Sequence, residues 1–298
     1  MGNAVLSHTI KDIHRDITEK IVAAIEKGVG TCTMPWHRSL AGRPRNAKTG
    51  SLYRGVNVLA LWVDSIERGY PSLYFASYRQ WHELGAQVRK GARGSHILFY
   101  KKIEVDEEDE EDSPTRRFVI RGSTVFNAAQ VDGWTPPEVP QTNKVERLRN
   151  VEALVAKTKA VIREGRYQIA CYDSAIDIID MPARNAFTGT KTSTPTESFY
   201  AALCHELTHW VGHESRLARD MRHRFGDAGY AMEELVAELG AAFLCADLGL
   251  ASEPRPDHAA YINDWLRVLK RDPKALTTAA GKASAAAEYI TAFDRQEP

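Results

Sequence analysis

The chain has 298 residues, of which 43% are hydrophobic and 26% charged, with 39 basic and 39 acidic side chains. This composition excludes wholesale disorder, and the length suits one large domain or two ordinary ones. The sequence has no apolar run of about 18 residues and its first residues form no secretory signal, so we expect a cytoplasmic protein that does not enter a membrane.

The first third of the chain is basic. Residues 1–102 carry 16 basic and 7 acidic side chains, a net charge of +9. Isoleucines recur there every three or four residues and predict an amphipathic helix over residues 7–27, which Gly28 would end. The positive charge favours a polyanionic partner, although the whole chain is neutral.

Aromatic and basic side chains alternate between residues 36 and 100. Flat rings can stack on unpaired bases while cations hold phosphates, so this region predicts binding of single-stranded nucleic acid without strong sequence preference. About half of the aromatic residues are expected in the core. The candidate stacking residues are Trp36, Tyr53 and Trp81. The candidate phosphate-binding residues are Arg43, Arg45, Lys48, Arg54, Arg79, Arg89, Lys90 and Arg93.

An acidic run at residues 103–112 holds 8 acidic and no basic side chains. It separates two apolar stretches, HILFYKKIEV and RRFVIRGSTVFN, which are typical of β-strands. Two interpretations stay open for the run: a solvated hairpin loop, or a DNA mimic that competes with DNA for the basic face.

A proline-rich stretch at residues 133–142 is typical of a linker. It predicts an α+β protein of two domains, residues 1–132 and residues 143–298. The second domain is expected to begin with a helix at 143–164, followed by strand-like stretches at 166–172 and 175–180.

The sequence HELTH occupies residues 205–209 and has the pattern H-E-x-x-H. A capping box with proline at the first helical position precedes it at residues 194–197, and Gly212 follows it. These signals predict a helix over residues 195–211, with the motif near its C-terminal end.

The H-E-x-x-H pattern is typical of a zinc site. His205 and His209 are four residues apart, so both imidazoles leave one face of the helix and can bind one Zn²⁺. Glu206 lies beside that face, where it would act as general base toward water activated by the metal. The alternative is a helix with two structural histidines and a solvated glutamate.

The third metal ligand is expected from the next helix, where three carboxylates interrupt an apolar sequence. Buried carboxylates need a partner or a metal, and we assign Glu234 to the metal. Glu238 would accept the free N–H of a ligand histidine, and Glu233 is the rival ligand although it points about 100° away. His213 is too far from His205, about 12 Å along the axis, to share an ion.

Two C-terminal stretches, HELTHWVGHESRL and EELVAELGAAFL, resemble the zincin-type metallopeptidase domain of ArdC-type antirestriction proteins, which conjugative plasmids encode. In gluzincin-like relatives a small residue and an acid follow the ligand glutamate at +3 and +4, as Ala237 and Glu238 follow Glu234. The stretch AIDIIDMPARNAF resembles the edge strand that borders the cleft. The N-terminal half resembles the same family in PWHR, GRPRNAKTGSLYRGVN, SYRQWHELGAQVRKGARG and VFNAAQV.

The resemblance covers nearly the whole chain and implies a function. A first domain would bind single-stranded DNA, and a second would be a zinc-dependent metallopeptidase-like domain, with Mn²⁺ as an alternative ion. The protein would protect incoming plasmid DNA from host restriction during conjugation, and a host restriction component could be its protein substrate. Two alternatives stay open: a DNA-shielding protein whose metal site is inactive or structural, and a DNA-activated protease acting on DNA-bound proteins.

Overall fold

The computed structural model describes residues 10–28, 34, 36, 42–104, 116–137, 144–190, 193–221, 227–251, 258–272 and 274–295. The helices are α1 (Ile10–Gly28), α2 (Val56–Arg68), α3 (Tyr78–Glu83), α4 (Lys144–Thr158), α5 (Pro195–Val211), α6 (Ala228–Leu248), α7 (His258–Arg271) and α8 (Ala275–Ala292). The strands are β1 (Arg45–Asn46), β2 (Tyr74–Ala76), β3 (Gln87–Val88), β4 (Ser95–Glu104), β5 (Arg116–Asn127), β6 (Val131–Asp132), β7 (Val161–Glu164), β8 (Cys171–Asp173) and β9 (Ile178–Met181). Among these helices, none combines the length and the apolar character that a membrane crossing needs.

Helix α1 confirms the amphipathic helix that the isoleucine spacing predicts. Ile13, Ile17, Ile21 and Ile25 are all buried, because side chains three or four residues apart lie on one face of a helix. The first predicted turn, residues 7–9, lies outside the described residues.

The N-terminal region is built on a four-stranded sheet in the order β1-β2-β5-β4. Strands β4 and β5 pair antiparallel from Ser95↔Val125 to Glu104↔Arg116, which confirms the two strands predicted on either side of the acidic run. Residues 105–115 lie outside the described residues, so both interpretations of the acidic run stay open.

The C-terminal region contains a three-stranded sheet in the order β7-β9-β8, whose strands precede the long helices α5 and α6 in the chain. Helix α4, which the sequence predicts over residues 143–164, ends at Thr158. Lys159 follows it in the left-handed backbone conformation (φ 58°), which stops the helix. The remainder of the predicted helix is therefore strand β7. The stretch AIDIID, which resembles an edge strand in sequence, supplies most of the central strand β9, and β7 and β8 are the two edge strands.

One hydrophobic core continues from the N-terminal helices into the C-terminal ones. It joins Ile17 of α1 and Leu59 of α2 to Phe243 of α6. The Trp62 ring of α2 packs on Phe243 with their centroids 5.7 Å apart. The proline-rich stretch at 133–142 therefore does not separate two independent cores.

A second, smaller cluster lies apart from this core. It consists of Ala76, Trp81, Ala86, Val88, Ala128 and Val131. The indole N–H of Trp81 donates to the Phe126 carbonyl at 2.9 Å, so this fully buried ring is also hydrogen-bonded. The cluster supports the basic turn that follows β3.

Candidate functional site

Helix α5 has the bounds and the cap that its sequence predicts, Pro195–Val211. The Thr194 hydroxyl accepts from the Glu197 backbone N–H, and the Glu197 carboxylate accepts from the Thr194 backbone N–H. At the other end Gly212 follows the helix, as predicted, with a right-handed backbone (φ −70°). A Cβ at this position would lie 2.7 Å from the Arg219 guanidinium, which would have to shift.

Helix α6 packs closely against α5 at Gly240. A Cβ there would lie 2.7 Å from Oγ1 of Thr208, a residue between the two histidines of the motif. This close approach brings the carboxylates of α6 to the histidines of α5.

The Gly240→Ala variant is expected to lose about 1–3 kcal/mol of stability, because an added methyl group overpacks the contact between the helices. Its affinity for a divalent ion should fall as α6 moves away from α5. Thermal unfolding and metal titration measure the two effects.

The matched control is Gly281→Ala in α8, where a new Cβ would meet nothing within 4 Å. Alanine should leave this helix unchanged or stabilise it by up to about 1 kcal/mol. Equal stability of the two variants would contradict the role given to the Gly240 contact.

His205, His209 and Glu234 meet in one cluster. Their ligand atoms all lie within 4.8 Å of one another. Nε2 of His205 and Nε2 of His209 are 3.2 Å apart, and each lies 3.6 Å from a Glu234 oxygen. Ligands bound tetrahedrally at zinc distances would be about 3.4 Å apart. The three side chains therefore fit a divalent ion, and their assignment as its ligands remains a prediction that this geometry supports.

Glu233 and Glu238 lie on the outer side of the two imidazoles. Glu233 Oε1 is 3.1 Å from Nδ1 of His209, and the same carboxylate binds the buried Arg219 guanidinium at 2.6 Å. The sequence predicted that Glu238 would accept the free N–H of a ligand histidine. In the structure Glu233 makes such a contact, with His209. Glu238 itself lies 3.9 Å from Nδ1 of His205, an ion-pair distance.

The ionisable side chains of the cluster shift one another's pKa values. Burial opposes ionisation of Glu234, but a hydrogen bond from His205 and the charges of both histidines lower its pKa to about 2. Burial also opposes the charged form of His209, yet the Glu233 hydrogen bond and the nearby carboxylates leave its pKa raised. A divalent ion binds the ionised carboxylate and the neutral imidazole, so the raised pKa of His209 makes protons compete with the ion.

Glu206 is buried, and its charge acts on residues of α5 and of strand β8. Its charge helps to raise the pKa of His209. Burial raises the pKa of the Cys171 thiol on β8, and the Glu206 charge adds to that effect. The Glu206 carboxylate therefore lies close enough to His209 and to Cys171 of β8 for its charge to act on both.

His213 lies outside the cluster. Its Nδ1 contacts the Ser215 hydroxyl at 2.8 Å, in the turns that follow α5. Arg216 and Arg219, which sequence reasoning missed, fix these turns: Arg216 stacks on Trp210 at 3.9 Å, and Arg219 donates to the Thr208 carbonyl at 2.6 Å. Only their position shortly after the motif could have suggested either arginine.

Burial corrects part of the predicted nucleic-acid surface. Trp36 is 2%, Tyr53 7% and Trp81 0% exposed, so no face of these rings is open to a base. Arg43 is also buried, and its guanidinium forms two hydrogen bonds with Asp247 of α6. These four side chains belong to the packing of the protein, and we remove them from the predicted surface.

The other predicted basic residues are exposed, but several are already paired. Lys48 and Arg79 bind Glu83, Arg54 binds Glu288, and Arg89 binds Asp132. Arg45 donates to the Gly50 carbonyl. Within the described part of the chain, the Lys90 and Arg93 side chains form no ion pair, which leaves them the most available to a phosphate.

A groove of about 800 Å³ lies over the small cluster around Trp81. Its lining includes Lys90, Gly91, Phe126 and Tyr78, whose side chain is 52% exposed. Gly91 occupies the left-handed position of a turn closed by the Ala92 N–H and the Arg89 carbonyl at 3.1 Å. Sequence reasoning chose the buried Trp81 and passed over Tyr78, although both rings have polar and basic neighbours in sequence.

Gly94 lies against strand β5. A Cβ there would collide with Thr124 and lie 3.0 Å from the Val125 carbonyl, so this glycine permits close approach to β5.

Two family models match the chain in succession. Residues 11–126 match the N-terminal domain of the anti-restriction factor ArdC, and residues 149–282 match a zincin-like metallopeptidase. Their order confirms the predicted α+β organisation in two domains, although the two regions share a core.

Similar proteins cover the whole chain. It is 44% identical over 292 residues to the uncharacterized protein y4eC of Sinorhizobium fredii. The alignment covers 95% of this chain and 93% of that protein. It is 32% identical over 309 residues to the DNA primase TraC of Escherichia coli, which covers 96% of this chain but 28% of the primase. The likeness to the primase therefore concerns only a part of that longer protein.

Two solved structures of the antirestriction ArdC protein from plasmid R388 have the same fold. The metal-free crystal structure superimposes with a TM-score of 0.77 at 36% identity, covering 96% of this chain and 100% of that one. The Mn(II)-bound structure gives a TM-score of 0.76 at 34% identity, covering 96% and 99%.

Proposed function

The chain belongs to the ArdC family of antirestriction proteins, and from this premise we propose that it binds single-stranded DNA and protects incoming plasmid DNA from restriction during conjugation. The observation that carries the proposal is a likeness over the full length to an antirestriction protein. A DNA primase among the relatives supports DNA as the partner. On this proposal the protein acts in the cytoplasm of the recipient cell.

The proposed DNA-binding surface is the groove beside Tyr78. Its exposed ring offers a face on which an unpaired base can stack, and Gln87 donates to the Tyr78 hydroxyl at 3.1 Å and limits its movement. Lys90, on the turn, and the adjacent Arg93 supply cations for phosphates. This surface keeps Lys90 and Arg93 from the predicted phosphate-binding residues and replaces the buried rings with Tyr78.

The full-length protein is expected to bind a labelled single-stranded oligonucleotide more tightly than a duplex, with an affinity that falls steeply as salt rises. Tyr78→Ala should weaken binding by about 1–3 kcal/mol, the usual contribution of one stacked base. Replacing Lys90 and Arg93 together should flatten the salt dependence. Fluorescence anisotropy over a salt series measures all three effects, and the full chain is used because the two regions share a core.

Phe99→Ala is the matched control for the stacking residue. Phe99 is 50% exposed, like Tyr78, but lies on β4 and does not line the groove. Its removal should leave the affinity unchanged. Equal affinities for single strand and duplex would reject the proposal, and a loss with Phe99→Ala but not with Tyr78→Ala would move the binding surface elsewhere.

For the second domain we propose a zinc-dependent peptidase site with His205, His209 and Glu234 as the metal ligands. Two imidazoles and a carboxylate are the donors of many catalytic zinc sites, and the Mn(II)-bound relative keeps manganese as an alternative. When bound, such an ion supplies Lewis-acid activation of water and of a peptide carbonyl.

The chain's own residues would supply the remaining steps. Glu206 would accept the proton of the attacking water and deliver it to the leaving amine, because it lies beside the histidines without belonging to the ligand cluster. The free edge of β8 would align an extended peptide by backbone hydrogen bonds. A protein of the host restriction system is the substrate that we propose for this site.

A further inference from the structure

Trp36, which lies in the N-terminal region, reaches the metal-site helix of the C-terminal region. Its indole N–H donates to Oε1 of Glu238 at 3.0 Å, in a fully buried contact across 202 residues of sequence. Arg43 makes a second buried contact with the same helix through Asp247. Trp36 and Arg43, two residues of the N-terminal region, therefore both contact α6.

Glu238 connects this contact to the cluster. Its other oxygen, Oε2, lies 3.9 Å from Nδ1 of His205, while Glu234, one helical turn earlier, lies 3.6 Å from Nε2 of the same ring. The His205 imidazole thus lies between two carboxylates of α6, one at each nitrogen. If Nε2 binds an ion, the proton of the neutral ring must be on Nδ1, the nitrogen that faces Glu238.

We propose that Trp36 is a positioning residue of the metal site. By holding Oε1, its N–H fixes the orientation of the Glu238 carboxylate and keeps Oε2 directed at Nδ1 of His205. A buried carboxylate is costly without hydrogen bonds, and Trp36 supplies one from outside the zincin-like region. The N-terminal region therefore takes part in forming the metal site.

The test is Trp36→Phe, which removes the N–H and keeps a large apolar ring. Loss of an outer hydrogen-bond partner typically weakens metal binding 10–100-fold, and we expect a fall of that size for Zn²⁺ in a chelator competition. The visible absorption spectrum of the Co²⁺-substituted protein should also change, because the orientation of His205 is no longer fixed. A merely structural role of Trp36 would not alter that spectrum.

Trp62→Phe is the matched control. Trp62 is also buried against α6, but its N–H donates to the Gly42 carbonyl at 3.2 Å and not to a metal-site carboxylate. This variant should keep the wild-type Zn²⁺ affinity and Co²⁺ spectrum. Unchanged metal binding in Trp36→Phe, or an equal loss in both variants, would overturn the proposal.

Glu238→Gln provides a second test if Trp36→Phe does not fold. Its amide oxygen can still accept from Trp36, but no carboxylate charge remains beside His205, so the same fall in Zn²⁺ affinity is expected. A wild-type affinity in this variant would also count against the proposal. Because the inference rests on the proposed metal site, wild-type protein that binds no divalent ion would reject both, whereas normal binding by the variants would reject this inference alone.

Discussion

Alanine at His205, at His209 or at Glu234 is expected to remove nearly all of about one equivalent of bound divalent ion. Each change deletes one of three ligand atoms that lie within 4.8 Å of one another, and two ligands rarely hold zinc against water and buffer. Elemental analysis of the purified variants and titration with Zn²⁺ and Mn²⁺ measure the loss. Calorimetry of the same samples separates it from unfolding.

Two controls test which residues form the ligand set. His213→Ala should keep the ion, because His213 contacts Ser215 and lies outside the cluster. Glu233→Gln should keep the site but weaken it about 10–100-fold, since Glu233 contacts the outer nitrogen of His209. A full site in Glu234→Ala together with an empty one in Glu233→Gln would reverse the assignment of the two glutamates.

The cluster of His205, His209 and Glu234 could be predicted because the sequence patterns that indicate it are local. The capping box starting at Thr194 sets the start of α5, and the four-residue spacing places both histidines on one face. Glu234 was predicted because a carboxylate in an apolar helix needs a partner. The partner of each glutamate was harder to predict. Glu233 binds Arg219, which lies in a turn whose sequence has no periodic pattern.

The side chains of the proposed nucleic-acid surface could not be predicted to the same extent. Trp81 and Tyr78 stand three residues apart among similar neighbours, yet one ring is buried and the other half-exposed. Their difference arises from tertiary packing, since the Trp81 N–H binds the Phe126 carbonyl on a distant strand. The burial of Arg43 also arises from tertiary packing, because its partner Asp247 lies 204 residues away in sequence. Local composition indicates a binding region but not which of its side chains face solvent.

The Glu206→Gln variant is expected to keep its bound ion, its fold and its affinity for single-stranded DNA while losing any peptidase activity. Glutamine preserves the volume of a side chain that is only 3% exposed but cannot accept a proton from water. Metal content, thermal unfolding and anisotropy check the first three expectations. Glu214→Gln, an exposed glutamate that follows α5, is the matched control and should behave as the wild type.

Plasmid transfer into a restricting host then separates shielding from proteolysis. We expect the plasmid carrying Glu206→Gln to remain protected, because the groove beside Tyr78 can cover a single strand without any chemistry at the metal. The Tyr78→Ala plasmid, with its weakened DNA binding and intact metal site, should lose protection. If instead Glu206→Gln abolishes protection while DNA binding survives, proteolysis is part of the antirestriction mechanism. The substrate should then be sought among restriction proteins that are intact in cells carrying Glu206→Gln and cleaved in cells carrying the wild type.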